Sequence, residues 1–120
     1  MTGLWTIIET TEYSTWHDSL TEKQQKAISK RREVLRRIGP NASRPLVDSL
    51  TGSRIKNLKE LRVSSGGALR ILFVFDRKRQ AVLLLGGDKS VDAKWTSWYA
   101  SAIREAEEIY ERYTKEEEEK

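Results

Sequence analysis

The stretch from residue 58 to residue 85, LKELRVSSGGALRILFVFDRKRQAVLLL, decides the fold. It contains three apolar runs, Leu58–Ser64, Ala68–Phe75 and Gln80–Leu85, rich in the residue types that favour strands. A Gly-Gly turn and a four-residue charged turn separate them, and both are short enough for hairpins. The stretch therefore predicts an antiparallel meander of three strands.

The middle run is apolar on both faces, which predicts a central strand. A turn centred on Gly66 and Gly67 would place Arg62 opposite Arg70 on neighbouring strands. Like charges in opposed positions repel, so this pair needs an acid such as Glu60, or an anionic ligand such as a phosphate. Structural arginines that only cap a sheet edge are the competing interpretation.

The flanking segments supply helices. Leu4–Glu9 alternates as a short first strand, and a helical segment follows it. Thr21 and Gln24 have the spacing of a capping box, and Gly39-Pro40 ends the second helix. The order β-α-α-β-β-β-α predicts an α+β fold with helices packed mainly on one face of a small antiparallel sheet. The other face would be free to hold a site.

The last helix is expected to start near Asp92 or Lys94 and to carry a stripe of Trp and Tyr residues. A chain of 120 residues accommodates one core, so residues 1–114 are predicted to form a single domain. Residues 115–120, KEEEEK, are predicted to be a disordered acidic tail, because their like charges cannot pair with one another.

The net charge of +4 hides a polarised distribution. Residues 23–44 hold eight bases and one acid, and residues 54–79 hold eight bases and two acids, while both ends of the chain are acidic. Such basic blocks attract phosphate backbones or acidic partners, although solvated charged faces are an equally good interpretation for the helical block. Basic groups at strand ends suit a dispersed anion such as an RNA backbone.

Other chemistries are excluded by composition. The chain has no Cys and one His, His17, which removes disulfides, thiolate nucleophiles and Cys-containing zinc sites. Its Asp residues are scattered and it has no P-loop spacing, so we expect no metal and no cofactor. The longest apolar run, Ala81–Leu85, is too short to span a bilayer, so we expect a cytoplasmic protein that does not enter a membrane.

The meander residues carry a resemblance to a known family. The runs Asn57–Val63, Leu69–Asp76 and Leu83–Lys89, followed by Trp95 and Tyr99, resemble toxins of bacterial type II toxin–antitoxin systems. The likeness is to the HigB-like, phage-related branch of the RelE/ParE superfamily, and it extends over residues 4–113.

This resemblance implies a toxin that cleaves mRNA on the 70S ribosome without a metal and is neutralised by a small helix-turn-helix antitoxin. A ribose 2′-hydroxyl would attack the adjacent phosphate, and arginines would stabilise the charge that develops. The catalytic positions carried over from the family are Arg62, Arg70, Lys89 and, as a candidate, Tyr99. The expected RNA-binding residues are Arg54, Lys56, Lys59, Arg77, Lys78 and Arg79. Proton transfer is left open among Lys56, Lys59 and Lys89.

Two other functions remain open at this point. A toxin on the same scaffold could inhibit DNA gyrase, as ParE-like proteins do. The basic blocks could also belong to a non-catalytic module that holds an acidic partner.

Overall fold

The structure, a computed structural model, describes residues 3–64, 67–90 and 95–120. The elements, in chain order, are β1 (Thr6–Glu9), α1 (Thr11–Asp18), α2 (Glu22–Ile38), β2 (Val47–Ser49), β3 (Leu58–Val63), β4 (Leu69–Phe75), β5 (Gln80–Asp88) and α3 (Trp95–Glu118). In the described parts of the chain, no helix combines the length and the apolar composition that a bilayer crossing requires.

The strands form one sheet in the order β1-β5-β4-β3-β2. The β3-β4-β5 meander is confirmed, but the sheet as a whole is mixed, because β1 pairs parallel with β5. The strand β2 was missed: its three residues lie in a segment with the composition of a loop, and pairing with β3 makes it extended. The predicted antiparallel meander is therefore the centre of a larger, mixed sheet.

Helices cover both faces of the sheet. Tyr13 of α1 and Leu35 of α2 bury against Phe73 on one face. On the other face, Ala106 of α3 packs with Val74 and Val82. Two of the three helices share a face, as expected, but the second face is not free. The apolar residues of β4 and β5 and the stripe on α3 bury each other there.

The strand β5 extends through two glycines that were expected in a loop. A Cβ on Gly86 would lie 2.5 Å from Cζ3 of Trp16, and a Cβ on Gly87 would lie 2.7 Å from Cζ2 of Trp98. The two indoles come from α1 and α3, on opposite faces of the sheet. Glycine at these positions therefore lets both helices approach the central strands closely.

The observed ends of α2 match the ends predicted from the sequence, whereas the observed C-terminal end of α3 does not. Thr21 and Gln24 form the complete capping box, and Gly39 ends α2 with a φ of +55°. The predicted tail is helical as far as Glu118, with an ion pair between Lys115 and its i−4 neighbour. The ion pairs of Lys115 with Glu111 and of Lys120 with Glu117 offset part of the repulsion that the acidic run implies. The predicted start of α3, at Asp92 or Lys94, lies outside the described residues.

Candidate active site

Arg62 and Arg70 are direct register partners on β3 and β4, as the sequence predicted. Arg70 is also paired with Gly87 on β5, so the three positions form a row across the sheet. They lie near the end of the sheet at which the β3–β4 turn begins. The meander alone therefore brings two guanidiniums to the same part of one face.

A buried carboxylate holds this pair. Glu60 is 1% exposed, and it accepts a hydrogen bond from Nε of Arg62 at 3.1 Å. Its other oxygen accepts from the hydroxyl of Tyr99 and lies 4.0 Å from Nε of Arg70. Glu60 is the acid that the opposed arginines were expected to need, and it also ties α3 to the sheet. We call Glu60, Arg62, Arg70 and Tyr99 the arginine cluster.

A second carboxylate, which the sequence analysis missed, supports the arginine cluster from the edge strand. Oδ2 of Asp48 on β2 accepts from Nη2 of Arg62 at 3.2 Å and from Nη2 of Arg44 at 2.9 Å. The hydrogen bond from Arg44 is the main cause that holds the pKa of Asp48 below its usual value. Local sequence carries no signal for Asp48, because its position depends on the pairing of β2 with β3.

The arginines remain partly accessible. The side chain of Arg62 is 34% exposed and that of Arg70 is 14% exposed. Nη1 of Arg70 donates to the carbonyl of Leu69, and within the described residues Nη1 of Arg62 and Nη2 of Arg70 make no hydrogen bond. Fixed guanidiniums with N–H groups to spare can bind a phosphate oxygen at low entropic cost.

The lysines of the predicted site do not all lie on the same face of the sheet as the arginine cluster. Lys89 follows the end of β5, two residues after Gly87, and its backbone N–H donates to the carbonyl of Ala68 at 2.8 Å. Its side chain is exposed next to the end of the sheet that carries the arginine cluster. Lys59 points to the opposite face from Glu60, as strict alternation predicts, and its Nζ donates to Ser49. Of these two lysines, only Lys89 is placed to share a ligand with the arginines.

The rest of the predicted RNA-binding set lies at the other end of the sheet. Arg70 lies five residues before the end of β4. At about 3.3 Å per residue, the turn after β4 is therefore about 17 Å from Arg70. Arg79 stacks on the ring of Trp5, with 4.8 Å between its guanidinium carbon and the ring centroid. The other basic members line one groove of about 1010 Å³ beside α3: Arg54, Lys56, Arg77 and Lys78.

This far groove contains carboxylates as well as bases. Glu107 of α3 accepts from the backbone N–H of Arg54 at 2.7 Å and from the hydroxyl of Ser53 at 2.9 Å. Those bonds lower the pKa of Glu107, the backbone hydrogen bond being the largest cause. Glu111 and Glu117 line the same groove, so its charge is mixed. The structure thus does not join these bases to the arginine cluster.

No group of three or more His, Cys, Asp or Glu side chains in the described ranges has the arrangement of a metal site.

Comparison with solved structures identifies the fold class. The archaeal RelE–RelB complex from Pyrococcus horikoshii OT3 contains a chain that matches with a TM-score of 0.59 and 17% identity. The match covers 77% of the present chain and 100% of the other. The fold is that of RelE-type proteins, as the sequence predicted.

The family follows from the sequence matches. The chain belongs to the family described as Phage derived protein Gp49-like (DUF891), whose model matches residues 15–111. Two curated proteins of Mycobacterium tuberculosis (strain ATCC 25618 / H37Rv) are similar: Putative toxin HigB2, 42% identical over 99 residues, and Putative toxin HigB3, 39% identical over 98 residues. These matches cover 81% and 82% of the present chain, 48% of HigB2 and 83% of HigB3. The chain thus spans about half the length of HigB2. The predicted resemblance to HigB-like proteins is confirmed.

Proposed function

We propose that this protein is the toxin of a type II toxin–antitoxin system and cleaves mRNA on the 70S ribosome. The observation that carries the proposal is a pair of arginines in direct register on β3 and β4, which buried Glu60 holds near the end of the sheet where the β3–β4 turn begins. Support for the biological role comes from two relatives whose names describe putative toxins.

The proposed reaction is attack of a ribose 2′-hydroxyl on the adjacent phosphate, with departure of the 5′-oxygen and formation of a 2′,3′-cyclic phosphate. Negative charge develops on the phosphoryl oxygens, and Arg62 and Arg70 donate hydrogen bonds to them. A fixed donor of this kind contributes a factor of about 10²–10³ to the rate. The proton of the 2′-hydroxyl passes to solvent water as the O–P bond forms, and Lys89, which is exposed at the same end of the sheet, donates a proton to the leaving 5′-oxygen.

Glu60 and Tyr99 act as positioning residues in this mechanism. The Tyr99 hydroxyl donates a hydrogen bond to the Glu60 carboxylate. We therefore assign Tyr99 the role of an anchor and not that of the catalytic candidate offered by the family resemblance. Glu60 and Asp48 hold Nε and Nη2 of Arg62, which leaves Nη1 to donate to a ligand. The mechanism draws its electrostatic stabilisation from arginine and uses no metal.

The partner in the proposed system is a cognate antitoxin, a small helix-turn-helix DNA-binding protein, and both act in the cytoplasm. The solved structural neighbour is a complex of RelE with RelB. That complex supports a scaffold that binds a second protein chain.

Regulated expression in a bacterial host tests this function. We expect growth arrest with new 5′ ends within translated mRNAs, and we expect Arg70→Ala to lower the cleavage rate by about 10²–10³. Arg104→Ala, an exposed arginine on α3, is the matched control and should arrest growth fully. Circular dichroism must show that Arg70→Ala folds.

Each alternative gives a different outcome. Arrest with DNA damage and no new mRNA ends would indicate gyrase inhibition and contradict cleavage. Absence of arrest would indicate a non-catalytic binding module. Full mRNA cleavage by a folded Arg70→Ala protein would remove the arginine pair from the mechanism.

A further inference from the structure

A groove of about 760 Å³ lies between α2 and the end of β3, apart from the arginine cluster. Val63 at its base belongs to the core that α1 and α2 cover, whereas Arg62 and Arg70 point to the opposite face with α3. The groove and the cluster therefore occupy opposite faces at the same end of the sheet. We call it the α2 groove.

The rim of the α2 groove is strongly basic. Four cations line it: Lys23, Lys26, Lys30 and Arg31. Glu22 is the acid among the lining residues, and it makes an exposed pair with Lys26 at 3.7 Å. Within the described residues, the other three cations make no ion pair, so the rim carries a net positive charge toward solvent. This charge favours an anionic occupant.

The base of the α2 groove is apolar. Ala27 and Val34 of α2 are half-buried there, and Val63 closes it from the sheet. Among the described residues, the lining contains no aromatic side chain, and stacking on aromatics is the usual way to hold single-stranded nucleic acid bases. Contact with valine does not stabilise a bound ribose-phosphate backbone, whereas it does stabilise a bound apolar side chain. The occupant must therefore combine acidic and apolar groups.

The dimensions match a helix. The lining positions on α2 run from Lys23 to Val34 at intervals of three to four residues, a distance of about 16 Å along the helix axis. Three turns of a partner helix span that length, and a helix laid in a groove uses anchors with the same periodicity.

We propose that the α2 groove docks an acidic, amphipathic helix of a partner protein. Its apolar stripe contacts Ala27 and Val34 above buried Val63, and its flanking carboxylates pair with Lys26 and Lys30. Under the function proposed above, that partner is the antitoxin. The docking itself does not depend on RNA cleavage, and the arginine cluster stays open on the other face while the groove is occupied.

The test uses a fluorescein-labelled peptide of two heptads, with Leu on one stripe and Glu on both flanks. We expect saturable binding in fluorescence anisotropy to the full-length chain. Lys26→Glu combined with Lys30→Glu should weaken it by at least about tenfold. Arg104→Glu combined with Lys115→Glu changes the net charge equally on exposed parts of α3, and it should leave the affinity within about threefold.

Two further probes separate shape from charge. A scrambled peptide of identical composition lacks the apolar stripe, and we expect it to bind at least about fivefold more weakly. A 12-nucleotide uridine RNA should not compete for the groove. Equal binding of the scrambled peptide, failure of the helical peptide to bind, or displacement of the peptide by the RNA would overturn the proposal. Growth arrest and mRNA cleavage are measured separately, so a failure here does not bear on the toxin function.

Discussion

Replacing Glu60 by Gln removes one negative charge and keeps the shape of the side chain. Two guanidiniums then face each other across β3 and β4 without the carboxylate that lies 3.1 Å from one and 4.0 Å from the other. Removal of one partner from a buried ion pair costs about 3–5 kcal/mol. Arg62 is about one-third exposed and keeps Asp48 as a partner, so solvent and Asp48 recover part of this energy. We expect Glu60→Gln to lower the free energy of unfolding by about 2–3 kcal/mol.

Urea unfolding followed by circular dichroism and tryptophan fluorescence measures this loss, with equal m-values for the variants compared. A drop of about 8–12 °C in Tm is the matching thermal readout. Glu108→Gln, an exposed carboxylate on α3, is the control and should change stability by less than about 0.5 kcal/mol.

A double-mutant cycle isolates the charge interaction. Arg70→Gln removes one of the two opposed charges, so Glu60→Gln combined with Arg70→Gln should cost at least about 1 kcal/mol less than the sum of the single changes. The reasoning is refuted if Glu60→Gln costs less than about 0.5 kcal/mol, or if the two changes are additive. Either result would mean that the carboxylate does not hold the arginines.

Three further predictions concern other parts of the molecule. Tyr99→Phe should lose about 1–2 kcal/mol in urea unfolding because its hydroxyl binds a buried carboxylate. Gly86→Ala should cost about 1–3 kcal/mol in the same assay, because its Cβ would overlap the ring of Trp16. The pKa of Glu107 is lowered by folding, so its contribution to stability is present above its unfolded pKa and is lost as pH falls through its folded pKa. The Tm difference between the native chain and Glu107→Gln should therefore be largest near pH 7 and should shrink as the pH falls through the folded pKa.

Much of the meander could be predicted because its information is local. Short turns fix the register of hairpins, and the opposition of Arg62 and Arg70 followed from the position of the turn between them. The capping box at Thr21 and Gln24 is equally local, and it was predicted correctly. The parallel pairing of β1 with β5 joins residues more than seventy positions apart, and no pattern within either strand encodes it.

The candidate site likewise contains some residues that local sequence could predict and others that only long-range contacts bring into place. Glu60 could be anticipated because it lies on the same strand face as Arg62. Asp48 could not be, since a three-residue strand in a loop-like segment brings it to the cluster. The role of Tyr99 was also hidden, because a Tyr on an amphipathic stripe has the pattern of a core residue, and only the docking of α3 places its hydroxyl on Glu60.

That contact from α3 has a consequence for the order in which the molecule is completed during synthesis. Arg62, Arg70 and Glu60 are translated well before Tyr99, and the helix that carries Tyr99 occupies the last fifth of the chain. At about 5–20 residues per second, the emerging polypeptide holds its arginines for a second or more without the hydroxyl that anchors their carboxylate. Trp98, which covers Gly87 on the same face, arrives equally late. The order of translation thus delays maturation of the cluster until α3 has been made, so a polypeptide that stops before α3 lacks the anchored geometry.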